Sequence, residues 1–159
     1  MIFRNLSTGD KEYTLQEVIK EVLLYISIDE ETEYRVIVGS DSLYRAKGTV
    51  FATAIVCHRV GKGARFWYTK RKENCAMNIF ARIMRETEDS INIMKKIYDS
   101  EIMLYVPEEN MQIDIDAGNN GKSIKVVSSA MSYVKGSGFN GESKPNAAVA
   151  TIVADKFTK

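Results

Sequence analysis

The run Tyr34-Arg35-Val36-Ile37-Val38-Gly39 restricts the fold more than any other segment. It is short and rich in β-branched residues, with apolar side chains at successive positions rather than alternate ones. That is the pattern of a strand buried on both faces. Such a strand needs helices above and below its sheet, so the chain is expected to be α/β.

The flanking segments supply those helices and further strands. Thr14-Leu15-Gln16-Glu17 fits a capping box, and Leu15, Val18, Ile19, Val22, Leu23 and Ile26 follow at helical spacing. A helix is predicted over 15–27, then an acidic loop over 29–33. Residues 49–60 (TVFATAIVCHRV) and 64–70 (ARFWYTK) are rich in β-branched and aromatic residues and are joined by Gly61-Lys62-Gly63. With 34–39 they predict an antiparallel meander. A long helix over 75–99, a short strand or irregular connection over 101–106 and a strand over 111–115 follow. Then come a helix over 122–135, an edge strand near Phe139–Glu142, and a last helix over 146–157 opened by Pro145. The order predicts a mixed five-stranded sheet, three antiparallel strands then parallel ones, with helices on both faces and an extra N-terminal helix. One domain over 1–159 is expected, with residues 1–33 as helix and acidic loop and 34–159 as core.

Composition narrows the chemistry. The 159 residues include one His and two Cys but 21 acidic side chains. A Cys/His zinc site lacks ligands, and carboxylates holding a hard metal ion are the natural alternative. Cys57 and Cys75 are expected to be reduced thiols and His58 a structural or surface residue. The first residues hold no apolar stretch of signal-peptide type, and none approaches about 18 apolar residues. A cytoplasmic protein without a membrane partner is expected. The net charge of +1 conceals a segregation: residues 12–33 carry −6 and residues 42–72 carry +8. The second segment can form a basic face, with Phe66, Trp67 and Tyr68 interleaved, or a set of solvated turns.

Four acids occupy positions that local structure disfavours. Asp41 follows the buried strand, where an unpaired carboxylate is costly. Asp114 lies inside the strand MQIDI, and Gln112, Asp114 and Asp116 share one face while Ile113 and Ile115 share the other. Glu86 falls in the apolar seam of the long helix with Ile79, Ile83, Ser90, Ile93 and Ile97. Asp155 shares a face of the last helix with Ala148 and Thr151 or Ile152. Carboxylates converging at one end of a sheet can hold two hard cations. The Gly118-to-Ser123 segment has the wrong spacing for a P-loop, since Asp116 stands where the first Gly belongs. Too little chain follows Asp116 for a phosphotransferase with an aspartyl nucleophile.

These positions and the β-β-β-α-β-α order resemble the ribonuclease H-like superfamily, and more closely the YkuK-like family of predicted ribonuclease H-related proteins. The matching segments are Val38-Gly39-Ser40-Asp41-Ser42, Arg85-Glu86, Ile113-Asp114-Ile115, Gly121-Lys122-Ser123, Gly136-Ser137-Gly138-Phe139, Lys144-Pro145-Asn146-Ala147 and Val153-Ala154-Asp155-Lys156. Gln112 stands where the family commonly carries His. The resemblance implies Asp41 and Asp114 as core metal ligands, Glu86 at the second metal, Asp155 completing that site and Asp116 in reserve. It implies two Mg²⁺ or Mn²⁺ ions and a nuclease that hydrolyses phosphodiester bonds in nucleic acid. Ser42, Arg71, Trp67, Lys122 and Lys144 are the candidate substrate contacts. The alternative expectation is a nucleic-acid or protein-binding module that keeps the fold without turnover.

Overall fold

A computed structural model of the chain describes residues 1–118, 124–147 and 149–159. The helix predicted over 15–27 is α1 (Leu15–Ser27), opened by the expected capping box between Thr14 and Glu17. Two two-residue strands precede it, β1 (Phe3–Arg4) and β2 (Glu12–Tyr13). The meander follows as β3 (Tyr34–Arg45), β4 (Gly48–Arg59) and β5 (Gly63–Glu73). Helix α2 (Ile79–Tyr98) starts later than predicted because the Asn78 side chain accepts from the Ala81 amide and fixes the N-terminus there. The 101–106 segment is a 3₁₀ turn over Glu101–Leu104 rather than a strand. β6 (Met111–Gly118), α3 (Ile124–Gly136), β7 (Asn140–Lys144) and α4 (Val149–Thr158) complete the order.

The sheet has seven strands in the order β2-β1-β5-β4-β3-β6-β7. The expected five form its body: β3, β4 and β5 are antiparallel, β6 is parallel to β3 and β7 to β6. The correction lies at the N-terminus, where β1 pairs with β5 and with β2. Strands so short carry no periodicity to read, and their residues are fixed by tertiary packing, as the full burial of Phe3 shows.

Helices cover both faces. On one, α1, α2 and α3 bury Val36, Val38, Ile55, Trp67, Ile113 and Ile115 in a single apolar core. Ser40 ties that face together, its hydroxyl within 2.8 Å of both Thr53 Oγ1 and Ser90 Oγ. On the other face α4 lies alone, over Ile37, Val56, Ala52 and Ala54. Among the described residues, no helix is long and apolar enough to cross a membrane. Cys57 is buried and Cys75 exposed, both as free thiols. His58 sits opposite Arg35, at the far end of β3 from Asp41.

The seat of α4 depends on a missing side chain. A Cβ at Gly39 would lie 2.9 Å from the Ala150 Cβ and 3.2 Å from the Asp114 Cβ. Gly39→Ala is therefore expected to cost about 1–3 kcal/mol, lowering Tm by about 2–4 °C per kcal/mol for a chain of this size. Ala150→Gly should recover part of that loss in the double variant, although glycine alone weakens the helix. Thermal melts of the four proteins check this; strictly additive effects would show that the contact is not what keeps Gly39 bare.

Candidate metal centre

Strand register determines which acids can meet. On β3 and β6, Gly39 stands beside Asp114 and Ser40 beside Ile115. Side chains alternate along a strand, so Gly39, Asp41, Asp114 and Asp116 all face α4. β3 does not stop at Gly39 as expected; its pairing with β4 continues to Arg45, which places Asp41 inside the strand opposite Ala52.

Asp41, Glu86, Asp116 and Asp155 come together as one electrostatic group. Burial pushes the Asp41 carboxyl up to about 6, the Thr158 hydroxyl opposes that, and the charges of Asp116 and Asp155 add to it. Glu86 comes from α2 on the other face and is only 7% exposed. Burial pushes it up to about 8, against a hydrogen bond from Ser42, with the charges of Asp41 and Asp116 contributing. Position 86 is held by Ser90, one turn on, whose hydroxyl bonds back to the Glu86 carbonyl at 3.0 Å.

Asp114 is placed differently. It is 2% exposed, and its oxygens are taken by Gln112 Nε2 at 2.6 Å and the Ala150 amide at 3.0 Å. Burial raises its pKa, and those donors, with the Val149 amide, oppose the rise. Amides in the first turn of a helix lack partners within it, so Asp114 caps α4 from the neighbouring strand. Its acidic neighbour is Glu142, and Asp116 is the β6 acid beside Asp41.

The candidate substrate contacts mostly turn inward. Trp67 is 1% exposed and belongs to the core, because odd positions of β5 face α1 and α2; it offers no ring to a base. Ser42 is buried and donates to Glu86. Arg71 is held by Glu73 and Asp89 and lies over the Phe51 ring at 4.4 Å. Lys144 is ion-paired with Asp116 and also feels Asp41 and Asp155, which raise its pKa with Asp116 foremost. Lys122 lies outside the described residues. Sequence reasoning missed Thr158, which donates to Asp41 Oδ2 at 2.9 Å; a hydroxyl two turns beyond Ala150 gives no signal of its own.

The donor set fits a hard divalent cation in kind: four carboxylates, no sulfur or imidazole, with Asp41 and Glu86 partly dehydrated. Asp116 Oδ1 is buried and its partner is the Lys144 ammonium, a cation already held against it. In the arrangement shown, each acid is turned to a protein donor: Asp41 to Thr158, Glu86 to Ser42, Asp116 to Lys144, and Asp155 to Lys159 at 2.7 Å. Among the described residues, no three acidic side chains converge on one point. Coordination therefore requires these side chains to turn from their present partners.

The buried acids have a consequence for stability. Glu86 is protonated in the fold up to about pH 8, against an ordinary value of 4.5. Between those values the folded chain binds the extra proton, so stability falls as pH rises, by at most about 1.4 kcal/mol per pH unit for one group. Asp41 adds to the fall only up to about pH 6. Urea unfolding in chelator should thus show stability declining between about pH 6 and 8. Glu86→Gln, neutral and of the same shape, should flatten that decline; an unchanged slope would mean that Glu86 is already ionised at pH 6.

The sequence model of the ribonuclease H-like family matches residues 17–159. The chain is also 26% identical to the Bacillus subtilis (strain 168) protein described as "Uncharacterized protein YkuK", over 99% of this chain and 97% of that one. No solved structure matches it. The match spans β3 through α4, every element that carries an acid of the cluster, and the chain belongs to the ribonuclease H-like family, with YkuK as a relative.

Proposed function

We propose that the protein is a divalent-metal-dependent nuclease that hydrolyses phosphodiester bonds in nucleic acid, using two Mg²⁺ or Mn²⁺ ions. The reading rests on one observation: four carboxylates from two strands and two helices of a ribonuclease H-like fold form one electrostatic group, in which burial disfavours the charged form of Asp41 and Glu86. Asp41, Glu86, Asp116 and Asp155 would hold the ions, with Asp116 taking the core role that the resemblance implies for Asp114. When bound, such ions lower the pKa of water and stabilise charge on the attacking and leaving oxygens.

The chain's own residues do the rest. Asp114 fixes the start of α4 on β6, which sets the position of Asp155. Thr158 orients the Asp41 carboxylate, and Ser42 orients that of Glu86. Lys144 balances Asp116 and can turn toward a phosphate oxygen once that charge is otherwise met. Ser42, the hydroxyl beside Glu86, is buried and committed to that carboxylate, so in this reading water is the attacking group and no covalent intermediate with the chain forms. The second reading, a binding module on the same fold, draws on the internal partners that every carboxylate already has.

Labelled RNA, DNA and RNA–DNA hybrid incubated with Mn²⁺ separate the two. Cleavage is expected for at least one substrate. Asp41→Asn and Asp116→Asn should each lose at least about 100-fold, since changes to groups that merely support a ligand already cost 10–100-fold. Asp114→Asn should fall within that supporting range. Raising Mn²⁺ tenfold above its Kd should add about 1.4 kcal/mol to the wild type and nothing to Asp41→Asn. Equal cleavage by wild type and Asp41→Asn sinks the nuclease reading; Mn²⁺ stabilisation without cleavage of any substrate leaves the binding module.

A further inference from the structure

The basic segment 42–72 does not form one face. Arg59 and Lys62 pair with Asp29 at the far end of the sheet. Arg65 lies over the Tyr25 ring at 4.6 Å, and Arg71 is held by Glu73 and Asp89. Lys70 and Lys72 differ from these. Both are exposed, and among the described residues neither has an acidic partner.

Their positions follow from register. Lys70 stands beside Ala52, and Ala52 beside Asp41; Lys72 stands beside Val50, and Val50 beside Leu43. The two lysines are thus on the α4 face, like Asp41. Lys70 is on the same rung as Asp41 at two strand spacings, about 10 Å, and Lys72 is about 7 Å further along β5. α4 covers only part of this face. Its last aromatic, Phe157, stacks on Tyr68 at 3.5 Å, the position before Lys70 on that side. Beyond it, β3, β4 and β5 continue uncovered. The shallow depression there is lined by Val50, Lys70, Lys72, Thr158 and three further bases, with no acid. Thr158 joins it to the carboxylates, since it is the residue that bonds Asp41.

We infer that this uncovered face, with Val50 at its floor and Lys70 and Lys72 beside it, binds the sugar–phosphate backbone of a nucleic-acid strand on its way to the carboxylates. The inference rests on the proposed nuclease reading for the direction of the strand. The occupant follows from charge and shape. Two ammonium groups in a row without acidic partners suit successive phosphates. The lining of Val50, bases and Thr158 offers a strand phosphate contacts but no stacking ring, so binding is independent of sequence. It also supplies positive charge beside an acidic pocket that would otherwise repel a polyanion.

Fluorescence anisotropy tests it, with a fluorescein-labelled oligonucleotide of about 20 nucleotides in chelator. Single-stranded DNA, single-stranded RNA and duplex form separate arms, each titrated between about 50 and 200 mM salt. Wild type is expected to bind at least one arm with affinity falling steeply with salt. K70Q/K72Q should bind about tenfold more weakly at low salt, with the salt slope reduced by about one to two. K125Q/K135Q, on exposed positions of α3, should match wild type. The inference is overturned by absence of binding, by an unchanged slope in K70Q/K72Q, by an equal loss in K125Q/K135Q, or by capture on phosphatidylserine vesicles without oligonucleotide binding. Because the chelated assay requires no turnover, binding without Mn²⁺-dependent cleavage leaves this surface standing and removes the nuclease. Cleavage with a KM that K70Q/K72Q does not raise removes the surface and leaves the nuclease.

Discussion

The approach of α4 to the junction of β3 and β6 is the constraint on which the rest depends. Two features hold it. Gly39 has no side chain where Ala150 comes down, and Asp114 accepts the amide that Ala150 exposes at the start of the helix. The first sets how close the helix lies, the second which residue lies there. Ala154 then falls on Ala52 and Ala54, and Phe157 on Tyr68. Asp155 and Thr158 arrive beside Asp41 as a result. A buried carboxylate on a central strand would otherwise be a liability; here its hydrogen bonds serve the helix terminus, where negative charge is favourable.

The same arrangement explains which parts of the molecule could be read from the sequence. Periodicity carried the helices and the meander, because their side chains report which side is wet: the seam through Glu86 and Ser90 and the alternation through MQIDI both correspond to buried faces. β1 and β2 were illegible because two-residue strands have no period. The position of Asp41 inside β3 was missed because Ser-Asp-Ser after Gly39 has turn chemistry, which twelve residues of pairing with β4 override. Which of Asp114 and Asp116 lies beside Asp41 was beyond the sequence for another reason. Both share a face by spacing, and only the register Gly39 to Asp114 shows that Asp114 lies under the first turn of α4 while Asp116 lies beside Asp41. Trp67 shows the limit of composition: basic residues beside aromatics suggest a nucleic-acid surface, but alternate positions of β5 belong to opposite faces, and the ring went to the core.

Charge gives the remaining step. Carboxylates brought near one another repel, and a fold can answer that by protonation, by an internal cation or by a bound one. This chain shows the first two together. Glu86 and Asp41 hold their protons to higher pH than free acids do, and Lys144 stands against Asp116. Neither answer is complete: two ammonium groups, Lys144 and Lys159, face four acids, and Glu86 is raised despite the hydrogen bond from Ser42 and the nearby charge of Arg82. A structural ion pair of similar burial would be expected to balance its charges, because an uncompensated buried carboxylate costs several kcal/mol and apolar replacements are often no worse. On the proposed reading, the deficit of positive charge that Lys144 and Lys159 leave, confined to oxygen donors, is what bound cations would meet.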